Sequence, residues 1–417
     1  MLDIIQRLKN LYHLLQSILA NLYYGFPSSK LRVIGVTGTD GKTTTTHLIY
    51  HILKSAGKKT SMISSIYAVI GGKTYDTGFH VTTPDVFPLY GFMRQSLNSA
   101  DQYFVLETTS HALAQNRVYG IIYQAGVLTN ISHEHLDFHK TYEDYVKAKA
   151  ILLQKAKIAV VNTDDNSYPL LLRTLRVRGS NFPNPQGSQA QKIYTYGIKK
   201  KAVYRVDLRK RYKLNLSDFN NYNYLAAYAV SKILGISEKD ISKALRSFKL
   251  PPGRLEVVIR EPFTVIIDFA HTPNAFHEVL TDVRNRFITS SNRLIHVFGA
   301  AGRRDQSKRP LMGEESDRYA DIIILTEEDY RDEDPRKICQ EIAQGIEKKP
   351  YEVIIDRKKA IEKAVEIAQP GDVIILTGKS HEKSLCRGKK EYPWNEYEAV
   401  KKALLRKSKL QNPMDST

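Results

Sequence analysis

The sequence predicts an α/β fold in two units: a central unit with a mostly parallel sheet, and a C-terminal Rossmann-like unit. Short apolar runs alternate with helical spacing along most of the 417 residues, which is the pattern of strands joined by crossover helices. The alternation breaks at Pro251-Pro252-Gly253, where a helix cannot continue. We therefore predict an N-terminal helical segment over 1–30, a central domain over 31–250, a C-terminal domain over 251–409 and a tail over 410–417.

The elements of the central domain follow from apolar runs and helical periodicity. Strands are predicted at Arg32–Val36, Tyr103–Leu106, Ala125–Leu128 and Ile158–Val161, and helices at Thr43–Ser55, Thr141–Lys155 and Asn221–Leu234. Residues 176–215 are polar, with Gly, Pro and Gln near 179–191, and they are predicted to form a loop followed by short strands.

The C-terminal domain begins after a predicted helix over 238–247 and repeats the alternation. Its strands are predicted at Phe263–Ile267, Arg293–Phe298, Asp321–Leu325, Glu352–Ile355 and Val373–Leu376, with helices between them. This order is typical of a doubly wound sheet.

Residues 2–24 are predicted to form an amphipathic helix. One face can carry Leu2, Ile5, Leu8, Leu11, Leu15 and Ile18 or Leu19. We expect this helix to dock on the central domain, with a membrane-surface helix as the alternative. No small-residue cleavage site follows it, so a signal peptide is not expected.

The composition is that of a globular protein in a reducing compartment. Two cysteines, Cys339 and Cys386, are too few for a disulfide framework, so we expect a cytoplasmic protein. No apolar run approaches the roughly 20 residues of a membrane span. The net charge of +18 is spread along the chain without an aromatic and basic RNA-binding motif, so we interpret it mostly as a solvated surface that partly focuses polyanionic substrates, without a nucleic-acid partner.

The most informative segment is Gly35–Thr46, which reads Gly-Val-Thr-Gly-Thr-Asp-Gly-Lys-Thr-Thr-Thr-Thr directly after an apolar run. A strand ends there, glycines turn the chain and hydroxyls begin a helix, so backbone N–H groups and the Lys42 ammonium converge on one point. We predict a nucleotide phosphate as the ligand, with Thr43 or Thr44 placed for Mg²⁺. Val36 stands where the common form of this loop has glycine, so the working glycine is Gly38.

Two further strand ends of the central domain carry groups suited to Mg²⁺. Glu107 follows the apolar strand Tyr103–Leu106 and precedes Ser110-His111. The segment Thr129–His139 holds three histidines and two acids, but their spacing does not fit a zinc site. We interpret His135 as a Mg²⁺ ligand beside phosphate and carboxylates.

Lys149 lies on the apolar face of its predicted helix, with Tyr142, Tyr145, Val146, Leu152 and Leu153, whereas Lys147 points away. A buried ammonium is unfavourable unless it is paired or changed. Formation of a carbamate with CO₂ would turn this cation into an anionic ligand. On the helix alone, a lysine whose ammonium reaches the surface is the alternative.

Three strand ends of the C-terminal domain have similar chemistry. They are Asp268 with His271, the glycine turn Gly299–Asp305 with its arginines, and Thr377–Glu382. In an open α/β sheet, such ends gather at one crevice.

Taken in order, these motifs resemble the Mur ligases, most closely the MurE-type UDP-N-acetylmuramoyl-tripeptide synthetases, from about 33 to 400. The resemblance implies an ATP- and Mg²⁺-dependent enzyme that adds an amino acid to a UDP-muramoyl-dipeptide through an acyl phosphate in peptidoglycan synthesis. It implies a metal site at Thr43, Glu107, His135 and carbamylated Lys149, with Lys42, Glu107, His135 and Lys149 catalytic. It assigns nucleotide binding to Gly38, Thr39, Asp40, Gly41, Lys42, Thr43, Thr44, Asn220, Asn223, Arg254, Asp268 and His271. It assigns the acceptor to Thr82, Thr83, Ser110, His111 and Arg117, and the amino acid to Arg304, Glu328, Asp329, Arg331, Gly378 and Glu382.

Three departures from the family pattern bear on these assignments. Some thirty residues precede the loop here, where the family usually has a uridine-binding domain of about a hundred residues. This leaves three alternatives: UDP is held differently, the acceptor is not UDP-linked, or a partner protein supplies the uridine-binding surface. Asp40 replaces the usual Asn. Glu328-Asp329-Tyr330-Arg331 aligns with the Asp-Asn-Pro-Arg selectivity motif and keeps its arginine, which favours diaminopimelate over lysine or ornithine.

Other functions stay open on the sequence. One is a folylpolyglutamate-type or Mur-like ligase on an acceptor without UDP, for which glutamate-dependent activity on a folate is diagnostic. Another is a nucleotide-binding subunit of an amidotransferase, which would be inactive without its partner. The last is a nucleic-acid-binding NTPase, which is favoured by the positive net charge alone. The oligomeric state is not predicted.

Overall fold

In a computed structural model, the protein is described over residues 2–77, 83–132, 134–176 and 192–411. Its contacts divide it into two compact units. The first holds the described residues of 1–132 and 139–249, and the second holds the described residues of 133–138 and 250–417. Thr82, His133 and the predicted loop at 179–191 lie outside the described residues, as does 412–417 of the predicted tail.

The first unit is built on a nine-stranded sheet in the order β4-β3-β2-β5-β1-β6-β7-β8-β9. Its strands are β1 (Arg32–Thr37), β2 (Thr60–Ile63), β3 (Ala68–Ile70), β4 (Lys73–Tyr75), β5 (Tyr103–Glu107), β6 (Tyr123–Leu128), β7 (Ala156–Asn162), β8 (Lys192–Gly197) and β9 (Tyr204–Arg205). In this sheet order, every neighbouring pair in the run β2-β5-β1-β6-β7-β8-β9 is parallel, and the β2–β3 and β3–β4 pairs are antiparallel. The four predicted strands form here, each within two residues of its predicted ends.

Helices cover this sheet. They are α1 (Leu2–Tyr24), a 3₁₀ helix (Pro27–Lys30), α2 (Lys42–Ser55), α3 (Val86–Asn98), α4 (Ser110–Ala114), α6 (Tyr142–Lys155), α7 (Tyr168–Arg176), α8 (Leu208–Tyr212), α9 (Asp218–Ile233) and α10 (Glu238–Ser247). The short helix α5 (Leu136–His139) falls largely in the segment that groups with the second unit. The central strand β1 lies between β5 and β6, with Val36 opposite Glu107 and Thr37 opposite Leu128. The phosphate loop therefore starts at the edge where β5 and β6 also end.

The N-terminal helix α1 forms and docks on the first unit as predicted, through the face opposite to its exposed leucines. It packs against α3 and also contacts the loop after α4, where the Ser17 hydroxyl donates to the Asn116 carbonyl at 2.8 Å and the Asn21 amide donates to the Tyr119 carbonyl at 3.1 Å. Leu11 and Leu15, on the predicted face, stay more than half exposed. Small polar residues dock here because their side chains can donate to the backbone carbonyls of the segment they contact. Across the described parts of the chain, no helix is both long and apolar enough to span a bilayer.

The second unit is built on a six-stranded sheet in the order β10-β11-β15-β12-β13-β14 and a separate hairpin of β16 and β17. Its strands are β10 (Glu256–Ile259), β11 (Thr264–Asp268), β12 (Leu294–Phe298), β13 (Ile322–Leu325), β14 (Tyr351–Val353), β15 (Val373–Thr377), β16 (Ser384–Arg387) and β17 (Lys390–Pro393). Its helices are α11 (Pro273–Phe287), α12 (Lys308–Tyr319), α13 (Pro335–Ala343), α14 (Arg357–Ile367) and α15 (Glu396–Gln411). The sheet is parallel except at its β10 edge, as a doubly wound domain requires.

Two buried polar groups organise the interior of this unit. The Arg357 guanidinium, with no exposed surface, donates to the Glu396 carboxylate at the start of α15 and to the Thr377 carbonyl at 2.8 Å. His296 lies inside β12, with its ring nitrogens 2.9 Å from the hydroxyls of Ser316 and Thr377. These partners satisfy groups that would be unfavourable in the core if left alone.

Candidate active site

The phosphate loop connects β1 to α2, and the residues that follow β6 hydrogen-bond to it. The Asn130 carbonyl accepts from the Thr39 N–H at 2.9 Å, and its side-chain oxygen accepts from the Asp40 N–H at 2.9 Å. The Thr129 hydroxyl donates to the Asp40 carbonyl at 2.6 Å. The Lys42 ammonium donates to the Thr39 carbonyl at 2.7 Å, so it lies folded over the loop. These contacts form an anion-binding loop at a helix N-terminus.

Two glycines of this loop cannot carry a side chain. Gly38 and Gly41 have φ of 156° and 78°, and a Cβ would lie 1.8 Å from the Thr129 hydroxyl and 2.1 Å from the Asn223 amide oxygen, respectively. The Thr45 hydroxyl also lies 3.5 Å from that Asn223 oxygen. The loop therefore packs directly against α9.

Thr43 and Glu107 lie together beside the loop. The Thr43 hydroxyl donates to Glu107 Oε1 at 3.0 Å, and the Ser65 N–H donates to Glu107 Oε2 at 2.9 Å. Glu107 is 1% exposed. Thr44 is buried next to Thr43 in the first turn of α2. Hydroxyl and carboxylate oxygens are the donors that Mg²⁺ prefers, so Thr43 and Glu107 fit the predicted metal.

Lys149 is buried against the phosphate loop, as its helical position predicts. It is 1% exposed, and its Nζ donates to the Gly38 carbonyl at 2.5 Å and lies 4.3 Å from the centre of the Tyr145 ring. Lys147, two residues earlier on α6, has a side chain that is 64% exposed. Of the two alternatives that the sequence left open for Lys149, the structure shows the buried side chain and not one that reaches the surface.

The predicted acceptor residues lie beside Glu107. The Thr83 hydroxyl donates to the Glu107 carbonyl at 3.2 Å, and Arg117 donates to the Thr83 carbonyl at 2.6 Å and to Asp85 at 3.1 Å. Burial lowers the pKa of Arg117, and the Asp85 charge opposes this. These residues place polar groups beside Glu107, and the Arg117 guanidinium is a partly buried cation among them.

A second polar group lies at the start of α4. The Ser110 hydroxyl lies 3.0 Å from His139 Nε2, and the His111 ring centre lies 5.6 Å from that of His139. Burial, followed by the charges of His111 and Lys149, lowers the pKa of His139 from 6.5 to about 3. His139 is therefore a neutral ring at physiological pH.

The two asparagines predicted to bind the nucleotide, Asn220 and Asn223, lie on one face of α9. Ser217 caps this helix, and Asn223 Nδ2 donates to Asn220 Oδ1 at 3.2 Å. Both residues are about 5% exposed. Their amides, joined to the loop through Gly41, are suited to the edge of a purine ring.

His135 belongs to the segment 134–138, which groups with the second unit, whereas the other predicted metal ligands belong to the first. Its Nε2 lies 3.5 Å from Glu134, and its φ is 57°. Glu134 lies 3.2 Å from His271 Nε2 and 3.8 Å from the Lys308 ammonium. Burial opposes ionisation of Glu134, but His135, His271 and Lys308 together hold its pKa well below 4.5. No preformed cluster of three or more His, Cys, Asp or Glu side chains suited to a metal occurs in the described ranges.

The nucleotide-side residues of the second unit surround the end of β11. The Asp268 carboxylate accepts from the N–H groups of Leu255 and Ala270, both at 2.7 Å, and burial raises its pKa despite the Arg254 charge. The Arg254 guanidinium lies 4.8 Å from the Phe269 ring centre. Asp268 therefore shapes the loop that presents His271.

The residues predicted to bind the amino acid gather at the ends of β13 and β15. Asp329 accepts from the Lys379 ammonium at 2.8 Å and from the Cys386 N–H at 2.9 Å, and Lys379 also pairs with Glu382. Arg331 Nη1 donates to the carbonyls of Gly302 and, at 3.4 Å, Asp329. Arg304, also predicted to bind the amino acid, is exposed.

Glu328 adds an unusual acid to this region. It is 8% exposed, and its Oε2 has no hydrogen-bond partner among the residues that the structure describes. Burial, then the Asp329 charge, raises its pKa. Gly378 leaves space beside it, since a Cβ there would lie 2.8 Å from this oxygen. An ammonium group would fit this position.

Sequence reasoning missed four residues of these sites: Ser65, Glu134, Lys308 and Lys379. Glu134 and Lys379 lie within recognised motifs, so their neighbours were a usable signal. Ser65 and Lys308 reach the sites from separate elements, and nothing in their local sequence indicates it.

Two family descriptions match the chain: the Mur ligase middle domain at residues 36–231 and the Mur ligase glutamate ligase domain at residues 253–380. The chain is 40% identical over 404 residues to the UDP-N-acetylmuramoyl-L-alanyl-D-glutamate–2,6-diaminopimelate ligase of Aquifex aeolicus, covering 92% of this chain and 80% of the relative. It is 38% identical over 418 residues to the UDP-N-acetylmuramyl-tripeptide synthetase of Borreliella burgdorferi, covering 93% and 79%.

Solved structures agree in fold. A UDP-N-acetylmuramoyl-L-alanyl-D-glutamate–2,6-diaminopimelate ligase structure matches with a TM-score of 0.56 and 29% identity, covering 91% of this chain and 79% of that one. FolC of E. coli in complex with DHPP and ADP matches with a TM-score of 0.69 over 95% and 93%. Its 16% identity supports the fold alone.

Proposed function

This chain belongs to the Mur ligase family, and we propose that it joins 2,6-diaminopimelate to UDP-N-acetylmuramoyl-L-alanyl-D-glutamate with ATP and Mg²⁺. Ligases of this family are ATP-dependent and ADP-forming. Three relatives that are 34–40% identical carry the name of the diaminopimelate ligase. A cytoplasmic location and a role in peptidoglycan precursor synthesis are part of the proposal.

The observation that carries the reaction type is the buried Lys149 against the phosphate loop, beside the pair of Thr43 and Glu107. The acid at the neighbouring strand end suits a loop that holds a nucleotide and its metal. Phosphate binding alone does not require a buried lysine on a loop carbonyl, and this lysine supports a site that also handles a carboxylate substrate. We assign ATP binding to residues 31–250 and the amino acid to residues 251–409.

In the proposed reaction, a carboxylate oxygen of the acceptor attacks the γ-phosphorus of ATP, the bond to the β-phosphate oxygen breaks, and ADP leaves. The amine of the incoming amino acid then attacks the acyl carbon, and phosphate leaves with the bonding pair as the amide forms. Lys42 and the loop N–H groups stabilise charge on the transferring phosphoryl group. Bound Mg²⁺ would neutralise phosphate charge, and Thr43, Glu107 and His135 would hold it.

We infer that Lys149 functions as a carbamate. Its neutral amine would attack CO₂, forming an N–C bond and releasing one proton, and the product is an anionic oxygen ligand. The burial of Lys149 supports this, since an ammonium charge is unfavourable in the interior, whereas a carbamate anion there would lie beside bound Mg²⁺. Arg117, Thr83, Ser110 and His111 would hold the acceptor.

The amino-acid site is proposed at Arg331, Glu328 and Gly378, with Lys379 fixing Asp329 and Glu382. Arg331 is held by two carbonyls through one nitrogen, which orients its guanidinium for a carboxylate. The unpartnered oxygen of Glu328 would accept from a substrate ammonium. Diaminopimelate presents both a second carboxylate and a second ammonium, whereas lysine lacks that carboxylate.

Phosphate release from ATP tests the proposal, with the UDP-dipeptide as acceptor and diaminopimelate, lysine and ornithine compared. We expect release with diaminopimelate, a product of matching mass, and loss of both in Lys42→Met but not in the exposed Lys58→Met. Release with none of the three amino acids would contradict the proposal and direct the search to other acceptors.

A further inference from the structure

The face of α1 that points away from its docking site is an apolar stripe. Its members, 39–77% exposed, are Leu8, Leu11, Tyr12, Leu15, Ile18, Leu19, Leu22 and Tyr23, together with Phe26 just beyond the end of the helix. The docked face, with Ser17 and Asn21, lies on the other side of the helix. The helix therefore directs its large apolar groups outward and its small polar groups inward, the reverse of an ordinary surface helix.

The area of this stripe is what a stable protein–protein contact needs. Nine half-exposed side chains of this size present on the order of 1,000 Å², whereas a standard interface buries about 800 Å² per partner. The largest apolar patch of an ordinary monomer is about 300–600 Å². An exposed patch above this size marks a contact surface.

The spacing within the stripe indicates another helix as the partner. Leu8, Leu11, Leu15, Ile18 and Leu22 follow intervals of 3, 4, 3 and 4 residues, the repeat of a helix–helix seam. A self-complementary stripe of this kind can pair with its own copy about a two-fold axis. We propose that this protein forms a homodimer in which the α1 stripes of two copies pack together.

Charge argues against a membrane as the occupant. The sequence of α1 holds only Asp3, Arg7 and Lys9 as charged residues, and its polar face is used for docking. A helix that binds an anionic bilayer surface presents a face rich in Lys and Arg. The basic segment Lys199–Lys201 precedes β9 at one edge of the sheet, whereas α1 packs on α3, which contacts β3 near the other edge.

Sedimentation of the full chain tests the proposal. We expect a mass of twice 47.5 kDa at micromolar concentration, and an at least 100-fold weaker association in the double variant Leu15→Lys/Leu22→Lys. Both positions are exposed, so folding should be preserved, as circular dichroism would show. The matched control is Leu405→Lys, an exposed leucine of α15 that should leave the dimer intact.

Cross-linking tests the pairing itself. Leu15 lies at the middle of the stripe, so two copies related by a two-fold axis bring Leu15 next to its own equivalent. Oxidised Leu15→Cys should form a covalent dimer, and Leu405→Cys should not. A wild-type chain that stays monomeric at about 100 µM would overturn the proposal. So would a dimer unaffected by the double variant, or a monomer that sediments with vesicles of three parts phosphatidylcholine to one part phosphatidylglycerol.

Discussion

The Thr43 hydroxyl donates a hydrogen bond to the Glu107 carboxylate at 3.0 Å, which joins the first turn of α2 to the end of β5. Both groups are buried, and the carboxylate also accepts from the Ser65 N–H. The two oxygen donors expected to hold Mg²⁺ are therefore in position beside the phosphate loop.

Replacing Glu107 should mainly affect the metal. In Glu107→Gln, one oxygen becomes an N–H₂ group that cannot accept from Ser65 or bind a cation. We expect Mg²⁺ half-saturation to rise about 10- to 100-fold and kcat to fall by about 100-fold, measured as phosphate release against Mg²⁺ concentration. Glu143→Gln, at an exposed position on α6, is the control. Unchanged Mg²⁺ dependence would remove Glu107 from the metal site.

Lys149 should carry a carbamate in the folded enzyme. We expect a carbamate carbonyl resonance in the NMR spectrum of protein equilibrated with ¹³C-labelled bicarbonate, because the buried amine becomes an anion on reaction with CO₂. The resonance should disappear in Lys149→Met and persist in Lys147→Met, and ligase activity should follow it. A spectrum in which both variants match the wild type would exclude a carbamate at Lys149.

A comparison of Gly41 with Gly57 separates the effect of a side-chain clash from the effect of a left-handed backbone conformation. Gly41 and Gly57 have φ of 78° and 72°, but only a Cβ at Gly41 meets another group, the Asn223 oxygen at 2.1 Å. Alanine at either position should cost about 1–2 kcal/mol of stability for the left-handed conformation. Only Gly41→Ala should also raise the KM for ATP, by about tenfold, which corresponds to about 1.4 kcal/mol of lost binding. Equal KM values for the two variants would show that the contact with α9 does not shape the nucleotide site.

The stability of the second unit should fall in mild acid because of His296. Burial lowers the pKa of this ring from 6.5 to about 3. Between these two pH values, the ring is protonated in the unfolded chain and neutral in the folded chain. Stability is therefore lost as pH falls from 6.5 toward 3, by about 2 kcal/mol between pH 7 and pH 5.

Trp394, the single tryptophan, lies in the second unit and reports its unfolding by urea. His296→Gln should be less stable at pH 7 but should lose about 2 kcal/mol less between pH 7 and pH 5. Parallel pH dependences in the two proteins would mean that His296 takes up its proton in the fold.

Arg331 should determine the choice of amino acid. In Arg331→Met, the carboxylate partner is lost, so the KM for diaminopimelate should rise at least about tenfold while the KM for ATP stays constant. The KM for lysine, which lacks the second carboxylate, should change little. Arg303→Met is the control, since Arg303 is exposed and pairs with the exposed Asp332. Equal effects on both amino acids would assign Arg331 a structural role.

The fold was largely predictable because strand and helix periods are local. The strand that ends at Glu107 and the helix that carries Lys149 follow from apolar spacing. The place of Lys149 on the apolar face allowed either a buried ammonium or one that reaches the surface, and the family resemblance favoured the buried position. Its hydrogen bond to Gly38 spans 111 residues, and no local pattern contains that partner.

The failures have physical causes as well. The leucines of α1 share a face, but the helix docks through its other face, because apolar spacing shows which residues share a face but not whether that face is covered. Ser65 and Lys308 joined the sites through tertiary packing, and their neighbours in sequence carry no sign of it. Glu328 stands out in the structure because an oxygen without a partner becomes visible only when its surroundings are known.

The ion pair between Arg357 and Glu396 limits where the chain can be shortened or tagged. Cutting before residue 396 would leave a fully buried guanidinium without its carboxylate, at about 3–5 kcal/mol for a buried pair that loses one member. Near the far end of α15, the ion pair between Arg406 and Glu362 has an exposed guanidinium. Fusion partners, affinity tags and crystallisation truncations therefore belong after α15, and a protease site placed ahead of it would unfold the second unit.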